Sequence, residues 1–202
     1  QSEVVGSDGQ IGFLSLTYAD LLQGLSTLCG RYSYEKGLQR LKTDWESYCL
    51  QDGLIVSRHI LRAMACGHSF HLNAEHAFYF DLASRGYSPF DYLGIYSNKS
   101  VRYLGRVENT IVADWSESEG LMINDYDHEV TDQQRDRLKT AIRNAVSEGW
   151  GIQQGHRFFL LDEFTETNYE KVSPGGIFRV RYFDLEDVLG QEVKDLTVAE
   201  MG

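Results

Sequence analysis

"DYLGIYSNKSVRYLGRVENTIVADW", residues 91–115, decides the fold. Short aromatic and β-branched runs flank the polar stretch Ser97-Asn98-Lys99-Ser100, which makes a good hairpin turn. "TIVADW" carries the strand pattern on past Asn109. Working backwards, "HAFYFDL" at 76–82 has the same character, so residues 76–115 read as an antiparallel meander. Working forwards, "HRFFLLDEF" at 156–164 and "IFRVRYFDL" at 177–185 are two more strands, with "SPGG" at 173–176 as a turn between them.

Helices flank this β-rich stretch. Residues 13–29 read as a helix, with Thr17 as its N-cap and Leu21, Leu25 and Leu28 on one face. Over 34–50, Tyr34, Leu38, Leu41, Trp45 and Tyr48 step along one helical stripe, and Asp52-Gly53 breaks it. Residues 54–65 are denser in apolar side chains and read as a third helix, with the β-branched "LIVS" as a competing strand signal. Residues 116–130 read as an acidic loop. Thr131, followed by Gln134, opens a capping-box helix whose apolar face is Leu138, Ile142 and Ala145, and Gly149 ends it. A short helical tail starts at Asp184 or the next acid.

This order predicts an α+β fold. N-terminal helices pack on a mostly antiparallel, aromatic-rich sheet or partly open barrel, with one further helix near 131–148. Residues 1–12 read as a flexible lead-in and 13–202 as a single domain. A sub-boundary near Gly67 separates a helical part, 13–66, from a β-rich part, 67–202.

The chain has 202 residues, 42% of them hydrophobic and 24% charged, which is a globular composition and not a disordered one. No apolar run has the length of a membrane span, so no membrane partner is expected. Three cysteines, Cys29, Cys49 and Cys66, lie far apart with no CxxC pair, which argues against a zinc ribbon and for buried reduced thiols in a cytoplasmic protein. The formal net charge of -11 disfavours nucleic acid as a partner, because phosphate backbones seek a basic footprint. Charge is nevertheless segregated: Lys99, Arg102 and Arg106 cluster near the hairpin, and the acids concentrate over 114–136.

Several stretches are candidates for chemistry. The hairpin contains Gly94-Ile95-Tyr96 and Tyr103-Leu104-Gly105, followed by Arg106-Val107-Glu108-Asn109, and in these residues it resembles the GIY-YIG nucleases. Six residues separate the two triplets, fewer than is usual in that family, and the segment after Asn109 reads as a strand and not as the arginine-bearing helix. The resemblance implies a metal-dependent nuclease working from the two tyrosines. A second candidate is the histidine group His68, His71 and His76, with Glu75 and Asp81 close by. Imidazoles and carboxylates ligate divalent metals, so these three histidines are metal candidates, and His71, His76 and Asp81 are catalytic ones. Asp125-Tyr126-Asp127-His128-Glu129 alternates carboxylates but has Val130 where a calcium loop needs glycine, and reads as solvated. The long connection "DEFTETNYEKVSPGG" ends in Gly175-Gly176, which permits close backbone approach to a ligand. There is no Walker loop, GxGxxG or GxSxG.

These residues fit three functional classes. The first is a ligand-binding or regulatory module that recognises a small molecule, a nucleotide or a nucleic-acid base on the sheet. Its ligand-binding residues are Tyr96, Arg102, Tyr103, Arg106, Arg179 and Arg181, and on a strand Arg179 and Arg181 share one face. The second is a metal-dependent hydrolase or nuclease using the histidines or the hairpin, with a divalent metal as cofactor. The third is an acidic interaction or inhibitor protein that binds a basic partner.

Overall fold

The computed structural model describes residues 16–55, 59–170 and 176–190. The lead-in over 1–12, Ser173-Pro174-Gly175 of the "SPGG" turn and the end of the C-terminal tail lie outside the described residues. The chain divides into two compact units, one before and one after residues 56–57. Helices precede the sheet in an α+β order.

The first unit holds α1 (Tyr18–Arg31) and α2 (Lys36–Gln51). Thr17 caps α1 as a full capping box: its side chain accepts from the Asp20 N–H, and the Asp20 carboxylate accepts from the Thr17 N–H at 2.8 Å. The stripe read along α2 stays largely in water. Tyr34, Leu41 and Tyr48 are exposed, and the residues α2 buries are Glu46, Ser47, Cys49 and Leu50.

The second unit is built on one long strand. β4 (Ser100–Ser116) pairs with four others: β3 (Tyr92–Ser97), β5 (Gly120–Tyr126), β6 (His156–Leu161) and β7 (Thr165–Glu170). With β1 (Ile60–Ala65), β2 (Phe78–Leu82) and β8 (Val180–Asp184) it makes an eight-stranded sheet with the main path β2-β6-β4-β3-β1-β8, not closed into a barrel. Among the described residues β1–β3 is the one parallel pairing. The hairpin turn is as expected, with Ser97 opposite Ser100 and both central residues, Asn98 and Lys99, at positive φ, as a primed two-residue turn requires.

The helix expected over 54–65 is instead, from Ile60 onward, the strand β1. Leu61, Arg62, Ala63 and Met64 are all buried, so both faces of this strand are covered and it shows no alternation to separate it from a buried helix. The expected acidic loop over 116–130 contains β5, and the long connection after 161 contains β7. The stretch around the histidines contains the short helix α3 (Phe70–His76), which ends on Ala77 in the left-handed region. The helix near 131–148 is present as α4 (Asp132–Ser147), with the Thr131–Gln134 capping box in place. Leu138, Ile142 and Ala145 of α4 enter one core cluster with Phe78, Ile111 and Phe158 of the sheet. A short α5 (Leu185–Leu189) closes the described chain, capped by Asp184.

Candidate functional site

The two tyrosines of the hairpin do not share a surface. Ile95 lies opposite Tyr103, so these two share a face, and Tyr96, the next residue, is on the other side of the sheet. Tyr96 is buried with Ala63, Val101 and Ile177, whereas Tyr103 packs with Met64, Leu93 and Ile95 and against the rings of Phe70 and Phe164. The triplet glycines are there for packing. A Cβ on Gly94 would come within 2.9 Å of a Val101 methyl, and one on Gly105 would collide with the carbonyl oxygen of Glu163.

The arginines also part company. Arg102 donates to Asn168 Oδ1 at 2.8 Å. Arg181 is half-buried on β8, opposite Ala63. Arg179 lies just before that strand with φ at 67°, so strand alternation does not extend to it; its guanidinium sits over the ring of Phe178. Arg106 is on the rim of a cavity.

The histidines do not converge. His68 and His71 are exposed, and His76 Nε2 shares a 3.0 Å hydrogen bond with Asn144 on α4. Among the described residues, no group of three or more His, Cys, Asp or Glu side chains is placed to hold a metal ion. Asp81 instead serves arginines: its Oδ1 accepts from Arg85 at 2.7 Å and its Oδ2 faces Arg62 at 4.0 Å.

The cavity beside Arg106 is a cleft of about 550 Å³. Tyr87 and Phe90 line it from the segment before β3, Arg106 and Glu108 from β4, and Asp127 and His128 from the connection after β5. Three local features fix these walls. The Asp91 carboxylate accepts from the Ile60 N–H at 2.9 Å and its carbonyl accepts from the Val107 N–H, which ties the segment bearing Phe90 to β1 and β4. Buried Asn109 donates to the His128 carbonyl at 2.9 Å and accepts from the His128 N–H at 3.0 Å, which pins the opposite rim. Arg137 of α4 binds the Glu108 carboxylate at 3.2 Å. Arg106 remains exposed, with its guanidinium making no ion pair among the described residues.

Behind the aromatic wall lies a feature that strand and motif reading missed. Arg62 of β1 is 4% exposed, and its guanidinium carbon lies 5.1 Å from the ring centre of Phe90, 5.2 Å from that of Phe159 and 5.7 Å from that of Tyr87. Arg157 of β6 lies over the Tyr87 ring at 4.8 Å and donates to the Arg85 carbonyl at 2.9 Å. Burial pushes the Tyr79 hydroxyl well above its usual range, and nearby Asp81 adds to that shift. The available signal was the single charge inside the apolar run "ILRAMA" at 60–65.

No protein-family model, curated protein or solved structure matches this chain.

Proposed function

We propose that this is a ligand-binding module whose cleft takes a nucleotide-class ligand, meaning a planar base joined to a polar, phosphate-bearing group. One observation carries the reading. An aromatic wall, Tyr87 and Phe90, borders the same 550 Å³ cleft as Arg106, whose guanidinium has no ion-pair partner among the described residues. The volume lies in the range of about 300–1,000 Å³ usual for small-ligand sites. On this reading a base meets the rings, Arg106 meets the phosphate, and Asp127 and His128, which line the same cleft, exchange hydrogen bonds with sugar hydroxyls. A single nucleotide suits an acidic chain better than a polymer does, because it brings few phosphates to a surface of net charge -11.

The test is calorimetric titration of nucleosides and nucleoside monophosphates, together with thermal melting. Binding should weaken roughly tenfold in Arg106→Ala for the monophosphate, as expected for one charge-assisted contact. The bare nucleoside should be little affected by that change and should be lost in Phe90→Ala. A chain that binds neither compound, or one whose monophosphate affinity is unchanged in Arg106→Ala, overturns the reading.

A further inference from the structure

A guanidinium removed from water as fully as that of Arg62 needs a close carboxylate or a set of acceptors. Arg62 has neither. Asp81 comes no nearer than 4.0 Å, on Nη2, while Nε and Nη1 have no hydrogen-bond partner among the described residues. The rings of Tyr87, Phe90 and Phe159 attract the charge but give these N–H groups no oxygen. Two more guanidiniums crowd the same place. Arg85 holds the Asp81 carboxylate that Arg62 faces, and Arg157 shares the Tyr87 ring with Arg62. Among the described residues Asp81 is the carboxylate that faces Arg62 and Arg85, and Arg157 makes no ion pair, so three positive charges stand beside one carboxylate and two are uncompensated (3 − 1 = 2) in a chain whose net charge is -11.

We infer that this cluster is an anion site for a phosphate-class dianion, with Arg62 as its floor and Arg85 and Arg157 as its rim. The two uncompensated charges match a phosphate or phosphate monoester, which carries about −1.5 to −2 near neutral pH. Guanidinium forks fit phosphate oxygens in pairs, and this fit is better than that of single-point ammonium groups. The side chain of Arg85 is 65% exposed, so it can turn from Asp81 to the incoming anion without disturbing the core. Until it does, Asp81 serves as the shared counter-ion. Arg106 takes no part, and the anion site is independent of whether the neighbouring cleft binds a nucleotide.

Inorganic phosphate is the probe, titrated into the full chain against chloride at matched ionic strength, with melting temperature and calorimetric binding as readouts. The melting temperature should rise saturably with phosphate. Arg157→Gln and Arg85→Gln should each weaken phosphate roughly tenfold, Arg62→Met should abolish binding, and Arg106→Ala should leave it unchanged. Should Arg62→Met fail to fold, the two rim variants decide the matter. A nucleoside monophosphate that displaces phosphate identifies a phosphomonoester as the source of the anion, and one that does not leaves free phosphate as the ligand. A melting temperature that ignores phosphate, or a shift that survives in Arg157→Gln and Arg85→Gln alike, overturns the inference. Nucleoside binding without any phosphate effect would keep the cleft reading and sink this one, and the reverse result would do the opposite.

Discussion

Arg62 and Asp81 face each other at 4.0 Å, yet their removal should have unequal effects. Asp81→Asn takes away the carboxylate that faces a buried guanidinium and leaves that charge uncompensated among the described residues. A tight buried pair loses roughly 3–5 kcal/mol when one partner goes; this longer, partly wet pair should lose about 2 kcal/mol. Arg62→Met removes the charge itself and keeps a flexible, polarisable chain against three rings, so stability should stay within about 1 kcal/mol of the parent. Urea denaturation of both variants checks this, and an Arg62→Met loss as large as that of Asp81→Asn would refute it. The hairpin glycines make a second residue-scale prediction. A Cβ at Gly105 meets a backbone oxygen that cannot turn away, so Gly105→Ala should cost about 2–3 kcal/mol. At Gly94 the obstacles are side-chain methyls of Val101 and Leu61, which can turn, so Gly94→Ala should cost about 1 kcal/mol. Denaturation midpoints at unchanged m-value read both, and a reversed order would be wrong for this geometry. Packing against Val101 and Glu163 is thus enough to explain why glycine stands in both triplets.

At the scale of elements, the turn at 97–100 was legible because its chemistry is local, and it is not optimised. Lys99 sits at φ 64°, where an L side chain is strained and glycine is not. Lys99→Gly should therefore raise stability by roughly 0.5–1 kcal/mol, seen as a higher melting temperature. A lower melting temperature would show that the lysine side chain contributes more than its backbone costs. The caps at Thr17 and Thr131 were readable for the same local reason. The elements that could not be read depend on distant partners. β1 became a strand because β3 and β8 flank it, and its two covered faces erase the alternation that marks a half-buried strand. β7, "TETNYE", is polar throughout and is a strand only because β4 offers it an edge. The candidate site obeys the same rule. Arg106 and the stretch bearing Asp127 and His128 were visible as residues, but the walls they share with Tyr87 and Phe90 exist only once β3 and β4 are paired. Arg62 was hidden inside the segment read as a helix.

At the scale of the whole molecule, the described groups with displaced titration, apart from Asp20, lie at the alkaline end and point the same way. Burial pushes the Cys66 thiol from 9.0 to about 12, and it also raises Cys49, Tyr79 and Tyr169; Tyr48 is raised chiefly by its hydrogen bond to Asp52. For Cys66 the ionised form is the one that folding disfavours. Below 9.0 the thiol is protonated in folded and unfolded chains alike, and it has no effect on the pH dependence. Between 9.0 and about 12 the unfolded chain releases the proton and the folded chain keeps it, so stability falls as pH rises through that window. One such thiol accounts for about 1.4 kcal/mol per pH unit there. A chain already at net charge -11 gains further negative charge over the same range, which adds general repulsion to the specific effect. Cys66→Ala separates the two. The cavity it leaves lowers stability equally at every pH, so the difference in slope isolates the thiol. Stability from urea denaturation at about pH 8 and about pH 10.5 should fall less in Cys66→Ala than in the parent chain, by about 2 kcal/mol over the interval, nearly all of it above 9.0. Parallel slopes would mean that Cys66 ionises as freely in the folded protein as in the unfolded one.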